Sequence, residues 1–299
     1  MTTSAPTVPR VALHCPDTVE EVLALLAEHG DDAKLVAGGT AFTILWRTGL
    51  ISAGHLIGCT KLPGLDAITT TDGVVSLGAL ARLRSTEISG QVRDRLPVLA
   101  AALGHVGNLR VRNAATWGGN VAEADNTSDL PCLLAALDAD VHVRSMTGAR
   151  TIPIAEFFVD YFETALAPEE FVTEVRVPIP ATRCGGSYVK FVSRSAEDRT
   201  CLGVAAFVER AEDGTCESVR VAAIGAGPVP LRIPEAEHDL HGAALTPESM
   251  RELAARYVAA ADPLSDIRGS AEFRLQVLPE LVVEALTRAS AGHDGAVLL

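Results

Sequence analysis

Two short runs in the chain carry residue types able to bind a diphosphate. The first is Leu35-Val36-Ala37-Gly38-Gly39-Thr40, an apolar stretch entering a glycine pair, and the second is Thr116-Trp117-Gly118-Gly119-Asn120. Paired glycines let the backbone turn sharply with successive N–H groups pointing one way, and such concave nests hold phosphate oxygens; a plain turn is the other use of the same pair. Asn120 both donates and accepts hydrogen bonds, and Asp129 leads into an apolar helical run, so the second segment joins an anion nest to polar groups suited to a sugar or a ring. Two such bends can grip the two phosphates of one dinucleotide. The basic stretch Arg110-Val111-Arg112-Asn113 precedes the second bend, placed either to neutralise part of a pyrophosphate or to pair with local carboxylates.

Other chemistries lack their signatures. There is no Gly-x-x-x-x-Gly-Lys loop for a nucleoside triphosphate and no Gly-x-Ser-x-Gly elbow for a hydrolase. The eight histidines, at 14, 29, 55, 105, 142, 238, 241 and 293, show no His-x-x-x-His or His-Glu-x-x-His spacing, so no metal site is expected. The six cysteines form no Cys-x-x-Cys, which leaves neither an iron–sulfur nor a zinc framework and reads as reduced, packed thiols. Acids are plentiful, yet no feature nominates a catalytic pair, and no catalytic residue is assigned.

Several spaced motifs, in order, resemble the FAD-binding subunit of the molybdenum hydroxylases, the group that includes the medium subunit of carbon monoxide dehydrogenase and the flavin domain of xanthine dehydrogenase. They are residues 35–40, 111–120, Ser128-Asp129-Leu130-Pro131, Phe157-Phe158 with Tyr161, Pro168-Glu169-Glu170, 172–178, 190–198 and 266–274, covering nearly the whole chain. The resemblance implies an FAD site built from Leu35, Val36, Ala37, Gly38, Gly39, Thr40, Ala41, Phe42, Val106, Thr116, Trp117, Gly118, Gly119, Asn120, Asp129, Val172, Lys190 and Arg199. Within it the 37–41 and 116–120 loops would hold the diphosphate, Asp129 would hydrogen-bond the cofactor, Val172 would pack on the adenosine and Lys190 would sit by the isoalloxazine. A lysine there would stabilise the anion of reduced flavin. The loop 193–200 would lie over the ring, where Arg199 replaces a tyrosine or aliphatic residue of relatives and either swings out or adds positive charge. Ala41, Arg47 and Asn126-Thr127 are further departures.

What the resemblance implies about function is electron relay: electrons from a 2Fe–2S small subunit, fed by a molybdopterin large subunit, pass through FAD to NAD or another acceptor. A stand-alone FAD-dependent oxidoreductase and a cofactor-free scaffold of the same fold are the alternatives. The implied fold is α+β, a two-lobed FAD-binding domain of the PCMH/vanillyl-alcohol-oxidase-like type followed by a C-terminal α+β domain with a three-stranded antiparallel sheet and a helical bundle.

The elements that must carry these residues follow from patterning. Thr18-x-x-Glu21 is a capping box opening a helix in which Val22, Leu25, Leu26 and His29 recur at helical spacing. A strand at 34–37, a helix at 41–48 and a strand at 55–58 complete a small lobe. Asp72-Gly73 turns a hairpin over 67–78, helices follow at 83–89 and 96–105, a second hairpin spans 141–152, a short helix 154–160 and a half-buried strand 171–178. Pro178-Ile179-Pro180 with Cys184-Gly185-Gly186 reads as a linker. The expected domains are therefore 1–180, with lobes of about 1–58 and 59–180, and 181–299. In the latter, strands at 187–193, 202–209 and 219–225 precede helices near 235–240, 247–261 and 271–290, the last kinked at Pro279.

Of 299 residues, 38 are acidic and 25 basic, a formal charge of −13 that repels nucleic acid and anionic lipid. No apolar run approaches the ~20 residues of a membrane span. The first ten residues lack the apolar core of a secretory signal, and a cytoplasmic protein is expected.

Overall fold

The structure, a computed structural model, describes residues 11–195 and 197–292 and the backbone of residues 295–298. Residues 1–10, where a secretory signal was looked for above, lie outside the described residues, as do Ala196 of the 193–200 loop and His293.

Only the forward half of the expected capping box forms, because the Glu21 side chain passes the amide of Thr18 and takes that of the residue before it. Thr18 accepts the Glu21 amide at 3.2 Å and Glu21 reaches back to the Asp17 amide at 2.8 Å, opening the helix Val19–His29, whose buried stripe is Val22, Leu23 and Leu26. That stripe lies on a sheet of three parallel strands in the order Ala12–His14, His55–Gly58, Ala33–Val36. Parallel strands need a crossover, and the helix Thr40–Arg47 supplies it between the last two. Residues 38 and 39 therefore leave the sheet at the C-terminal end of Ala33–Val36.

The second lobe is a five-stranded antiparallel sheet in the order Ile68–Thr71, Val74–Gly78, Phe171–Pro178, Asp140–Ser145, Gly148–Pro153. Asp72 and Gly73 take φ of 51° and 78°, as the expected type I′ turn requires. Short helices fill the interval between its second and fourth strands, among them Leu83–Ile88, Gly90–Arg95, Pro97–Leu103, Leu109–Ala114, Trp117–Glu123 and Asp129–Ala136. The helix expected at 154–160 is shorter, Ile154–Phe157. Beyond it Phe158–Asp160 pairs with Glu163–Thr164 as a ribbon.

The third sheet corrects two expectations. It has four strands, because Gly295–Leu298 pairs in parallel with Cys184–Phe191 beside the antiparallel Leu202–Arg210 and Cys216–Ile224. The glycines at 185 and 186 belong to the strand Cys184–Phe191 and not to a linker. A Cβ on Gly185 would lie 2.2 Å from the Ala289 carbonyl oxygen, and one on Gly186 2.6 Å from the Phe207 ring, so both are small to admit neighbours.

Both faces of this sheet are buried, which is why Leu202–Arg210 reads as a near-continuous apolar run. Alternate residues face opposite ways: Tyr188, Ala205, Phe207, Ala222 and Ile224 join the core of the second lobe. Val189, Val204, Ala206, Val208 and Val221 instead pack with Leu253, Leu281, Val282 and Leu286 from the helices Pro247–Ala260 and Ala271–Ser290, the latter running on through Pro279. The core thus crosses residue 180 without a break.

Gly185→Ala is expected to destabilise the fold by about 2 kcal/mol through overpacking against the Ala289 backbone, whereas Gly90→Ala, with nothing within 4 Å of the new Cβ, changes stability by under ~1 kcal/mol; urea unfolding of the two variants measures the difference.

Candidate functional site

The two glycine pairs are built differently, and Gly38 packs against Ala114 and Ala115, just before the second pair. Gly39 adopts φ of 67°, a left-handed conformation at the N-cap of Thr40–Arg47, and a Cβ on Gly38 would sit 2.0 Å from the Ala114 carbonyl oxygen. Only glycine permits either. Among the described residues no hydrogen-bond partner engages the amides of Gly38, Gly39, Thr40, Ala41 and Phe42. With no side-chain cap, this helix end presents bare N–H groups and the positive end of its dipole, the arrangement that binds phosphate. Beside it a cleft of about 420 Å³, whose lining includes Gly38, Lys61, Arg82 and Thr116, opens between the first two lobes.

The second pair is no open nest. Residues 117–120 form the first turn of Trp117–Glu123, and their amides are taken: Trp117 by Ala81 O at 3.1 Å, Gly118 by Ala79 O at 2.8 Å, Gly119 by Thr116 Oγ1 at 3.3 Å and Asn120 by Thr116 O at 2.9 Å. Gly118 is a glycine because a Cβ would lie 2.8 Å from that of Ala79, while Gly119 meets only Thr116 Oγ1, at 3.0 Å, and offers a bare, exposed backbone surface. The Trp117 ring is wholly buried and donates to Thr86 Oγ1 at 2.8 Å, so it serves the core. Asn120 exchanges hydrogen bonds with Ser128 at 3.0 and 3.2 Å, tying this helix to the start of Asp129–Ala136.

Asp129 and Lys190 form a buried node. Lys190 is 1 % exposed and donates to Asp129 Oδ2 at 2.9 Å and to the His105 carbonyl at 2.8 Å. Oδ1 of Asp129 accepts from Tyr188 at 2.5 Å and from Thr200 at 2.6 Å. Burial, and next the Asp129 charge, hold the Tyr188 hydroxyl well above its usual range, so it remains a donor. The His105 ring is pushed down by burial and then by Lys190 and stays neutral beside the ammonium. Val106, the next residue, is half-buried against the same core as Val172, which sits in the strand Phe171–Pro178 at a β-bulge.

Arg199 is not a free cation. Its guanidinium lies 2.5 Å from Asp125 Oδ2, and Asp125, 6 % exposed, uses its other oxygen for Thr127. The 193–200 loop is thereby pinned, at Arg199, to the segment between the helices Trp117–Glu123 and Asp129–Ala136. Within the basic stretch Arg112 pairs locally: it bonds Glu87 at 2.8 Å and the carbonyls of Val106 and Gly107, bracing the protein, whereas Arg110 is exposed and has no ion-pair partner among the described residues. Leu35, Val36, Ala37, Phe42 and the Phe42–Trp46 ring stack are all half-buried around the first glycine bend.

Residues 9–180 match the family model described as the FAD binding domain in molybdopterin dehydrogenase, and residues 187–289 match the CO dehydrogenase flavoprotein C-terminal domain. The chain belongs to the molybdopterin-dehydrogenase FAD-binding family. It is 34% identical over 273 residues to the 6-hydroxypseudooxynicotine dehydrogenase complex subunit alpha of Paenarthrobacter nicotinovorans, covering 91% of this chain and 92% of that one. To the carbon monoxide dehydrogenase medium chain of Hydrogenophaga pseudoflava it is 32% identical, over 95% of this chain and 98% of that one. The solved carbon monoxide dehydrogenase from the same organism superposes with a TM-score of 0.91 over 95% of this chain and 98% of its counterpart, at 34% identity. As a member of the family this chain is an FAD-binding oxidoreductase component, and the residues present fit FAD: unengaged amides at a helix N-terminus, a glycine whose Cβ would close the bend, and a cleft shared with Thr116.

Sequence reasoning missed Tyr188, Thr200, Asp125 and Arg274. Tyr188 was within reach, since it lies two residues from Lys190 on one strand and so shares its face. Arg274, 2 % exposed, donates to the carbonyls of Cys201 and Gly225 and to Asp266, so the motif at 266–274 is a clasp on the chain just after Thr200.

Gly38→Ala is expected to weaken FAD binding at least a hundredfold, because the Ala114 backbone must move out of the bend; fluorescence titration of the flavin-free chain with FAD measures this. Glu123, with one carboxylate oxygen buried and unpartnered, has its acidity weakened chiefly by burial, against a lowering by Arg199. Its proton is held more tightly in the folded state, so stability falls as the pH rises from the ordinary carboxylate value through the raised one. Glu123→Gln should flatten that fall in Tm, measured from about pH 4 to 8.

Proposed function

We propose that this chain is the flavin subunit of a molybdenum hydroxylase complex, receiving electrons from a separate 2Fe–2S subunit fed by a molybdopterin subunit and passing them to NAD or another acceptor. FAD, when bound, supplies the redox chemistry; the protein binds it, orients it and tunes it. The observation that carries the reading is the row of unengaged amides at Gly38–Phe42, closed by the Ala114 backbone, in a chain whose whole length matches proteins named as medium chains and as a complex subunit.

In this reading the amides of 38–42 hold the diphosphate, with the exposed face of Gly119 and the Asn120–Ser128 pair beside it, and Val172 lies toward the adenosine. Lys190 spends two of its three N–H donors on Asp129 and the His105 carbonyl, which leaves one for the N1–C2 edge of the ring. Asp129 then acts on the flavin through the lysine it orients. Residues 1–180 and 181–299 form the flavin-binding and C-terminal domains of this reading. No described helix is long and apolar enough to cross a membrane, and none of Cys15, Cys59, Cys132, Cys201 and Cys216 is in a disulfide; a cytoplasmic location is part of the proposal.

Purifying the native complex and assaying flavin, iron and molybdenum tests it. The expected result is one FAD per copy of this chain, with iron and molybdenum carried by co-purifying chains, and an isolated chain that keeps a band near ~450 nm without iron. A yellow chain that oxidises a small molecule with no partner, or one that gains no flavin band on reconstitution, overturns the proposal.

A further inference from the structure

Three histidines that the sequence leaves 15 and 26 residues apart come together at the opposite end of the first lobe from the glycine bend. His14 ends the strand Ala12–His14, His29 ends the helix Val19–His29, and His55 opens the strand His55–Gly58. In the parallel register His14 lies opposite Ile57, so His14 and His55 share the face that Ile57 turns into the core. His29 follows Leu26 and Val22 at helical spacing and brings the end of the buried helical stripe onto that face. The Gly54 amide donates to Asp32 Oδ1 at 2.7 Å, which fixes the chain just before His55.

The rings are half-buried, and one ligating nitrogen from each lies within 4.8 Å of the other two. His14 Nε2 and His55 Nδ1 are 2.9 Å apart, sharing a proton. The His29 and His55 rings stack at 3.6 Å, and the His14 ring lies 5.3 Å and 5.2 Å from them. Nitrogens bound to one tetrahedral zinc ion at ~2.05 Å stand about 3.3 Å apart, so the His14–His55 pair needs to open by only a few tenths of an ångström. Turning each ring about its χ2, a broad and soft torsion, brings the three lone pairs to one point.

We propose that His14, His29 and His55 bind a divalent first-row transition ion of the zinc class, in a three-imidazole site whose remaining position is taken by water. Neutral imidazole suits such an ion, and binding moves the proton between His14 and His55 to the far nitrogen of its own ring. The ion would staple the edge strand Ala12–His14 to the first helix and to the central strand of the lobe, a structural role that makes no contact with the flavin cradle. His55 is level with Ala33, five residues before Gly38, or roughly 16 Å along an extended chain.

The test is titration of the untagged, full-length, flavin-loaded chain with ZnCl₂ against a chromophoric chelator near neutral pH. One tightly bound equivalent is expected, with a rise in Tm, and His29→Gln and His55→Gln should each weaken binding at least tenfold. The double variant His238→Gln/His241→Gln, at the other stacked histidine pair, should bind as the parent does. Retention of the flavin band and of the far-UV circular dichroism shows the variants folded, and His14→Gln replaces either that fails. No stoichiometric zinc binding by the parent chain, binding undiminished in the folded variants, or loss of the equivalent in the His238/His241 variant overturns the site; each result is read independently of whether the flavin proposal holds.

Discussion

The ion pair between Asp129 and Lys190 is the constraint on which the arrangement of the site rests. Two charges this deeply buried cost several kcal/mol each to desolvate, and their mutual attraction repays that only where the remaining hydrogen-bonding capacity is also met. Here it is met by Tyr188, Thr200 and the His105 carbonyl. The five groups come from four stretches: the helix Asp129–Ala136, the strand Cys184–Phe191 with both Tyr188 and Lys190, the approach to Leu202 and the turn after Pro97–Leu103. A slip of the third sheet against the second lobe by one residue would leave a carboxylate and an ammonium without counter-charges. The node therefore selects one docking of the two lobes more than it stabilises folding as such.

Around that node the same principle recurs with smaller stakes. Arg199 closes on Asp125, Arg274 on Asp266 and two carbonyls, and Arg232 on Glu237 and Asp138. Together with the third sheet's two buried faces, these contacts make the lobe that follows residue 180 a continuation of the core rather than an appendage. The C-terminal end of the 193–200 loop is held twice, Arg199 by Asp125 and Thr200 by Asp129, so its position is coupled to the helices on either side of Asp125.

In the proposed function the glycine bends would divide the work of holding an anion. A chain with a formal charge of −13 has no net electrostatic attraction for a diphosphate, so the attraction must be local. The helix Thr40–Arg47 provides it, with uncapped amides and the positive end of a dipole. The second pair contributes closeness instead: Gly118 lets the helix settle on Ala79, and Gly119 keeps the approach to Thr116 clear of any side chain.

Local features of this protein were decided by its sequence, because they depend on neighbours a few residues away. The N-cap at Thr18, the type I′ turn at Asp72-Gly73, the strand Phe171–Pro178 and the alternation that buries Val175 and Val177 follow from propensity and periodicity. The glycine pair at 38–39 was legible as a bend for the same reason. What a side chain meets across the fold was not. The identical pair at 118–119 opens a helix with its amides spent, and the pair at 185–186 makes room for Ala289 and Phe207. Arg112 turned to Glu87, Lys190 to Asp129, and three unremarkable histidines to one another. A residue type states which interactions it can make, whereas tertiary packing selects the partner and sets the desolvation that determines what the interaction is worth.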